Sequence, residues 1–232
     1  PSALAGCVAG RGALREGVPP LAGEVDVAQA YHDWSKPGYL GLLGTLFNWG
    51  QPLSPYMTYP EKRRIPLPRA LAPGGLPVEE AIRRRRSQRD FTDKALSILH
   101  LSHLLQMAGG ITEPSYPLRA APSAGALYPI EIYPVVNRVD GVSPGVYHFS
   151  VAEQALEVLQ EGDFRLPLVA SAVGQDMVGE AAVTFVFSGI FQRTRWKYRE
   201  RAYRYVLLEA GHIGQNLYLA STSLGLGCVA VG

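Results

Sequence analysis

Three short stretches carry residue types that could do chemistry. Pro122-Ser123-Ala124-Gly125 is a turn sequence that runs straight into the β-rich residues 127–133. Ser123 offers a hydroxyl, and Gly125 lets the main chain approach a flat or anionic ligand where a Cβ would collide. Upstream lies a basic run, Arg83-Arg84-Arg85-Arg86-Ser87-Gln88-Arg89, followed by Asp90-Phe91. A helix rotates successive side chains by about 100°, so four arginines in a row cannot form one stripe. Past the helix end, Arg86, Ser87 and Arg89 fall in a turn where guanidinium forks and a hydroxyl can converge on phosphate. Arg83 and Arg84 read equally well as solvated arginines at a helix C-terminus. Downstream comes Arg193-Thr194-Arg195-Trp196-Lys197-Tyr198-Arg199. Arg193, Arg195, Arg199 and Arg201 crowd Lys197 with like charge, and Trp196 and Tyr198 offer apolar cover. Both disfavour the ammonium form, and a general base needs the amine. Tyr198 adds a phenol able to donate or relay a proton. The alternative for the same residues is packing and snorkelling at a helix start.

These stretches need elements to hold them. Prolines recur through residues 51–77, each fixing φ and removing a backbone donor, which predicts an extended connecting segment on a surface. A short helix is expected at 25–34, and another at 78–86, opened by Pro77 with Glu79 and Glu80 at its positive end. Ser97 suits the N-cap of a helix through Ala108, stopped by Gly109-Gly110. Period-two patterns at 130–136, 145–150 and 156–159, with an Asp140-Gly141 turn, predict an antiparallel meander. Residues 164–173 return to helical spacing. The apolar, β-branched run 181–190 reads as a central strand covered on both faces. A long helix over 195–223 carries one stripe of Val206, Ala210, Ile213, Leu217, Ala220 and Leu224. A second stripe of Tyr205, Leu208, His212, Gln215 and Leu219 predicts a subunit interface. Gly211 and Gly214 within it imply close approach by another backbone or a ring. Gly225 to Gly227 end it, and a last strand starts at Cys228.

Composition narrows the function classes. The chain has 232 residues with 47% hydrophobic content, enough for one sizeable core. A net charge of +2 argues against general affinity for nucleic acid or membrane, so basic clusters act locally. Cys7 and Cys228 do not suggest a disulfide framework. No apolar stretch approaches the roughly 20 residues that span a bilayer, and no signal-peptide layout opens the chain, so a cytoplasmic location is expected. Pro1 at the start and a strand at the end read as trimmed termini. A dinucleotide fingerprint, a Walker loop and a nucleophile elbow are absent from the sequence, and His100 and His103 lack a third metal ligand. His32, His148 and His212 read as packed or capping histidines.

Taken together, Arg85-Arg-Ser-Gln-Arg-Asp-Phe91, Pro122-Ser-Ala-Gly-Ala-Leu-Tyr-Pro129 and Leu224-Gly-Leu-Gly-Cys-Val-Ala-Val-Gly232 resemble the FMN-dependent nitroreductase superfamily over about residues 78–232. With Trp196-Lys-Tyr-Arg199 and Arg201-Ala-Tyr-Arg-Tyr205, the pattern is similar to its SagB-type dehydrogenase branch, the azoline oxidases of thiazole- and oxazole-modified peptides. The resemblance implies an α+β, three-layer fold with a mostly antiparallel central sheet flanked by helices. It also implies an intertwined homodimer with two FMN sites at its interface. Arg85, Arg86, Ser87 and Arg89 would hold the phosphate, ribityl chain and pyrimidine edge. Pro122, Ser123, Ala124 and Gly125 would lie against the ring system, and Gly227, Cys228 and Val229 nearby. Lys197 and Tyr198 match the pair linked to azoline oxidation. The expected division is a variable, peptide-binding region over 1–76 and an FMN domain over 77–232 that stops short of the family's further basic segment. The expected substrate is an azoline-containing precursor peptide, with a cyclodehydratase as a further partner. The alternatives are an NAD(P)H-dependent nitro or quinone reductase and a non-flavin peptide-binding scaffold.

Overall fold

Alternation along three strands decides the architecture. Ile130, Ile132 and Val136 of β4 (Ile130–Val136), Tyr147 and Phe149 of β5 (Gly145–Ser150) and Leu156 of β6 (Ala155–Glu161) form the sheet's contribution to one apolar core. The intervening Glu131, His148 and Glu157 are nonetheless buried, so this sheet is covered on its polar side as well. In a computed structural model, which describes residues 26–36, 51–68, 75–116 and 118–232, these strands join two others in an antiparallel sheet of order β1-β6-β5-β4-β7. Here β1 is Arg64–Pro66 and β7 is Val183–Gly189. Cys7 and the glycine-containing stretch 39–49 lie outside the described residues.

The chain divides into two compact units, Pro1–Lys36 and Pro37–Gly232. Within the first, α1 (Val27–Trp34) starts where the Asp26 carboxylate accepts from the Gln29 N–H. In the second, the proline-rich segment supplies edge strand β1, whose Arg64 pairs in register with Glu157.

Helix α2 (Val78–Arg84) ends earlier than the expected residue 86, because Arg85 adopts an extended backbone. In α3 (Ile98–Gly109) the Ser97 hydroxyl accepts from the His100 N–H, the N-cap that the sequence predicts. A two-stranded ribbon, β2 (Ile111–Glu113) with β3 (Leu118–Arg119), leads to the Pro122 turn. After β6 come α4 (Arg165–Ser171) and α5 (Met177–Glu180). Leu101, Leu104, Leu105 and Ala108 of α3 join Val206, Ile213, Leu217 and Ala220 of the last helix in the core.

Two expectations are corrected. The run 181–190 forms β7, but β7 is an edge strand, half-buried, with Val186 41% exposed. Its apolar continuity therefore exceeds what this single chain covers. The predicted long helix is two: α6 (Phe191–Tyr198) and α7 (Ala202–Ser223), separated by a 3₁₀ turn at Arg199–Arg201. Arg199 sits at φ 50°, ψ −125°, a conformation that breaks helical continuation. On α7 the second stripe is exposed at Leu208 (58%), His212 and Gln215 and half-buried at Tyr205 and Leu219; Leu207 beside it is 60% exposed, and open space lies beside Gly211 and Gly214.

Candidate functional site

The Pro122–Gly125 turn is held from beneath. The Ser123 hydroxyl oxygen accepts from the Tyr128 N–H at 2.9 Å, and the Ser123 hydroxyl also bonds the Glu209 carboxyl of α7. Both of its capacities are thus used inside the fold, a role that its serine type alone does not disclose. Tyr128 itself has φ 46°, and its phenol accepts from the Arg119 N–H while the Arg119 guanidinium lies 4.4 Å from its ring centre. These contacts fix the backbone just ahead of β4.

Gly125, at φ 66°, faces α6. A Cβ built there would stand 2.9 Å from the Tyr198 hydroxyl and 3.3 Å from Lys197 Nζ. The turn and the Lys-Tyr pair, more than 70 residues apart in sequence, are therefore in contact. Lys197 Nζ also lies 5.5 Å from the Tyr198 ring centre, and the Tyr198 ring meets Tyr205 edge-on at 4.8 Å. Burial, with the neighbouring Tyr205, raises the Tyr198 phenol above its ordinary value, which keeps it a proton-bearing donor. A Gly125→Ala protein pays for both the left-handed backbone and the collision, and we expect a loss of about 1 kcal/mol in urea unfolding. Its Lys197–Tyr198 pair is displaced, with a fall in turnover larger than the fall in stability.

The arginines around Lys197 each make contacts of their own. Arg193 is buried and donates to the Tyr128 carbonyl at 2.8 Å and to the Glu131 carboxylate. Arg195 and Arg199 line a separate open groove of about 390 Å³ with Gln192, Trp196 and Glu200. Arg201 lies over the Tyr205 ring at 5.4 Å. Arg193, four residues before Lys197 on α6, shares its helix face, whereas Arg195 is turned to another.

A buried ionic row extends from Arg193 across the polar side of the sheet. Glu131 meets His148 Nε2 at 3.1 Å, and His148 Nδ1 meets Glu157 at 2.7 Å. Residues 55–59 lie along it: the Met57 N–H donates to Glu131, the Tyr59 N–H to Glu157, and the Pro55 carbonyl accepts from Arg119. Sequence reading missed Glu131, Glu157 and Glu209. The available signal was three acidic residues set singly among apolar neighbours.

The arginine turn sorts as the helix end dictates. Arg83 and Arg84 both pair with Glu80, while among the described residues Arg85, Arg86 and Arg89 pair with no carboxylate. Arg85 lies over the Tyr218 ring at 5.1 Å, and Ser87 and Tyr218 share a hydroxyl contact of 3.0 Å. Arg86 donates to the Arg83 and Arg85 carbonyls. A single parallel bridge joins Ser87 to Cys228, with the Gln88 N–H donating to the Cys228 carbonyl. A Cβ on Gly227 would meet Gln88 at 2.9 Å. The Tyr218 hydroxyl accepts from the Ala230 N–H, so the C-terminal residues 227–230, Val229 among them, lie along the arginine turn. Burial pushes the Cys228 thiol up, the opposite of what a nucleophilic thiolate needs.

Two half-sites result, both anchored on α7. Glu209 contacts the Ser123 turn and Tyr218 the arginine turn. Between those positions the helix advances roughly 14 Å and rotates through a net half turn, so one chain presents the two halves on opposite faces.

Residues 82–232 match the family model described as the Nitroreductase family. The chain belongs to the nitroreductase family. It is 37% identical over 155 residues to the nitroreductase-family protein MJ1384 of Methanocaldococcus jannaschii, a match over 67% of this chain and 78% of that one. It is 35% identical over 144 residues to the Microcin B17-processing protein McbC of Escherichia coli, covering 59% of this chain and 53% of McbC. The match thus spans about half of McbC. A nitroreductase-family crystal structure from Ralstonia eutropha superposes with a TM-score of 0.62 at 28% identity, over 76% of this chain and 81% of that one. The nitroreductase fold and membership of a family of oxidoreductases follow. Among the described residues, no helix is long and apolar enough to cross a membrane and no group of three ligands could hold a metal.

Proposed function

We propose that the chain is an FMN-dependent dehydrogenase that oxidises thiazoline or oxazoline rings of a ribosomally made peptide to thiazoles or oxazoles. The observation that carries this reading is the contact of Lys197 and Tyr198 with the Gly125 turn, which puts a proton acceptor and a proton donor beside a bare backbone surface. Likeness to a microcin-processing protein supports the peptide substrate.

The residues fit FMN. Arg85, Arg86, Ser87 and Arg89 form a largely exposed basic turn that pairs with no carboxylate among the described residues, suited to the phosphate, ribityl chain and pyrimidine edge. Pro122, Ser123, Ala124 and Gly125 suit the flat ring system, which needs close approach to main chain. Gly227, Cys228 and Val229 complete the wall beside the arginine turn. Because the two halves face opposite sides of α7, the arrangement favours a homodimer in which each site takes one half from each copy. The uncovered Leu207 and Leu208 and the β7 edge are its natural seam.

FMN, when bound, supplies the hydride acceptor. Lys197 Nζ takes the proton from the ring carbon, and the ring, having lost one proton and one hydride, becomes aromatic. Tyr198 keeps its proton and orients the amine. The Gly125 backbone holds the ring plane close, so that geometry contributes to the rate alongside the base. The azoline reaching this site comes from a cyclodehydratase, and residues 1–76 serve in holding the precursor peptide.

Incubating FMN-loaded protein with an azoline peptide tests the proposal: the product mass falls by two hydrogens per ring. An unchanged peptide beside rapid NAD(P)H-driven quinone turnover would replace it with the general reductase, which the likeness to MJ1384 favours. A colourless protein that refuses added FMN would leave only a scaffold role.

A further inference from the structure

Glu209 is a buried carboxyl, 4% exposed, that the chemistry above does not use. It bonds the Ser123 hydroxyl and the Ile130 N–H and lines a small cavity of about 10 Å³, room for one water. The groups facing it are Arg119 from β3, Tyr128 from the turn, Glu131 from β4 and Arg193 from α6; α3 contributes only Gly109. Burial lowers the Arg119 guanidinium from its ordinary value, opposed chiefly by Glu131. Glu131 stays ionised: burial alone would raise it, but His148 and Arg193 hold it below the ordinary carboxylate value.

A hydroxyl has one hydrogen to donate and two lone pairs that accept. Ser123 already accepts from the Tyr128 N–H. When Glu209 is a carboxylate, the Ser123 hydrogen is directed inward to it. When Glu209 is an acid, its own O–H donates to the second lone pair of Ser123. The Ser123 hydrogen then rotates outward, to the half-exposed face of the turn.

We propose that Glu209 is a positioning residue whose protonation sets whether the Ser123 hydroxyl serves the fold or donates to a ligand lying on the Pro122–Gly125 turn. The inference rests on the reading of that ligand as FMN. Burial raises the Glu209 carboxyl to about 7, against the pull of Ser123, Ile130, Arg119 and Arg193, so the change falls in an accessible range.

The test is the FMN dissociation constant of the full chain between about pH 6 and about pH 8, with the parent, Glu209→Gln and Ser123→Ala compared. The second ionisation of the FMN phosphate, near pH 6, is common to all three and cancels in the comparison. In the parent, affinity falls roughly two- to tenfold as pH rises, the loss of one hydrogen bond. Glu209→Gln, whose amide donates to Ser123 permanently, holds the low-pH affinity throughout. Ser123→Ala holds the high-pH affinity throughout. A parent-like pH step surviving in either variant overturns the proposal while leaving the flavin reading intact. A parent that binds no FMN at any pH overturns both.

Discussion

Lys197→Ala is expected to yield a folded protein that binds FMN as the parent does but oxidises azoline peptide about 10²- to 10⁴-fold more slowly, the usual range for a lost general base. The fold tolerates the change because Lys197 is only half-buried, in the last turn of the short helix α6, and substitutions at such positions usually move stability within about 0.5 kcal/mol. FMN binding survives because the arginine turn and the Pro122–Gly125 backbone are untouched. Single-turnover mixing with preloaded FMN separates the effects: flavin content stays constant while the rate of two-hydrogen loss collapses. Tyr198→Phe removes the phenol yet keeps the ring that packs on Tyr205, so its smaller defect measures the hydroxyl alone. Azoline oxidation by Lys197→Ala at the parent rate would remove Lys197 from the mechanism.

The second large effect is on stability. Arg193→Met is expected to cost about 3–5 kcal/mol, because it leaves the Glu131 carboxylate buried with one partner fewer and strips the Tyr128 carbonyl of its donor. Adding Glu131→Gln to that variant removes the stranded charge and restores part of the loss. Urea unfolding across pH gives the sign. The Glu131 carboxyl is held below its ordinary value of 4.5, so its contribution is fully present above that pH and is lost as pH falls through the depressed value. Glu209 runs the other way: stability is greatest below its unfolded value of 4.5 and declines as pH rises toward about 7. An Arg193→Met protein as stable as the parent would show that the ionic row does not hold the sheet and α6 together.

Local patterns made most elements legible. Ser97 as a cap, the 130–136 and 145–150 strands and the Val206–Ile213–Leu217–Ala220 stripe all depend on neighbours close in sequence, and all appear as expected. The contact between Gly125 and Lys197–Tyr198 has no local signal, since no local rule ties a turn to a helix so far along the chain; the resemblance only assigns each segment a role. What escaped was tertiary. Nothing in the apolar run 183–189 says that it ends a sheet rather than sits within it. Arg199 gives no compositional warning of its left-handed backbone, because arginine is a good helix former. Glu131, His148 and Glu157 follow the strand alternation of a solvent-facing side. They are buried because residues 55–59 cover them, a fact that lies some 70 to 100 residues away in sequence.

That covering segment is gripped by its main chain. Glu131 and Glu157 accept from the N–H groups of Met57 and Tyr59, which every residue except proline possesses. The course of the chain across the sheet is therefore held largely through main-chain groups, by Glu131, Glu157 and Arg119, with Tyr56 and Tyr59 as its side-chain anchors. Substitutions at Met57 and Thr58 leave those grips in place, so the protein has latitude to change what this stretch shows the outside while its attachment stays the same.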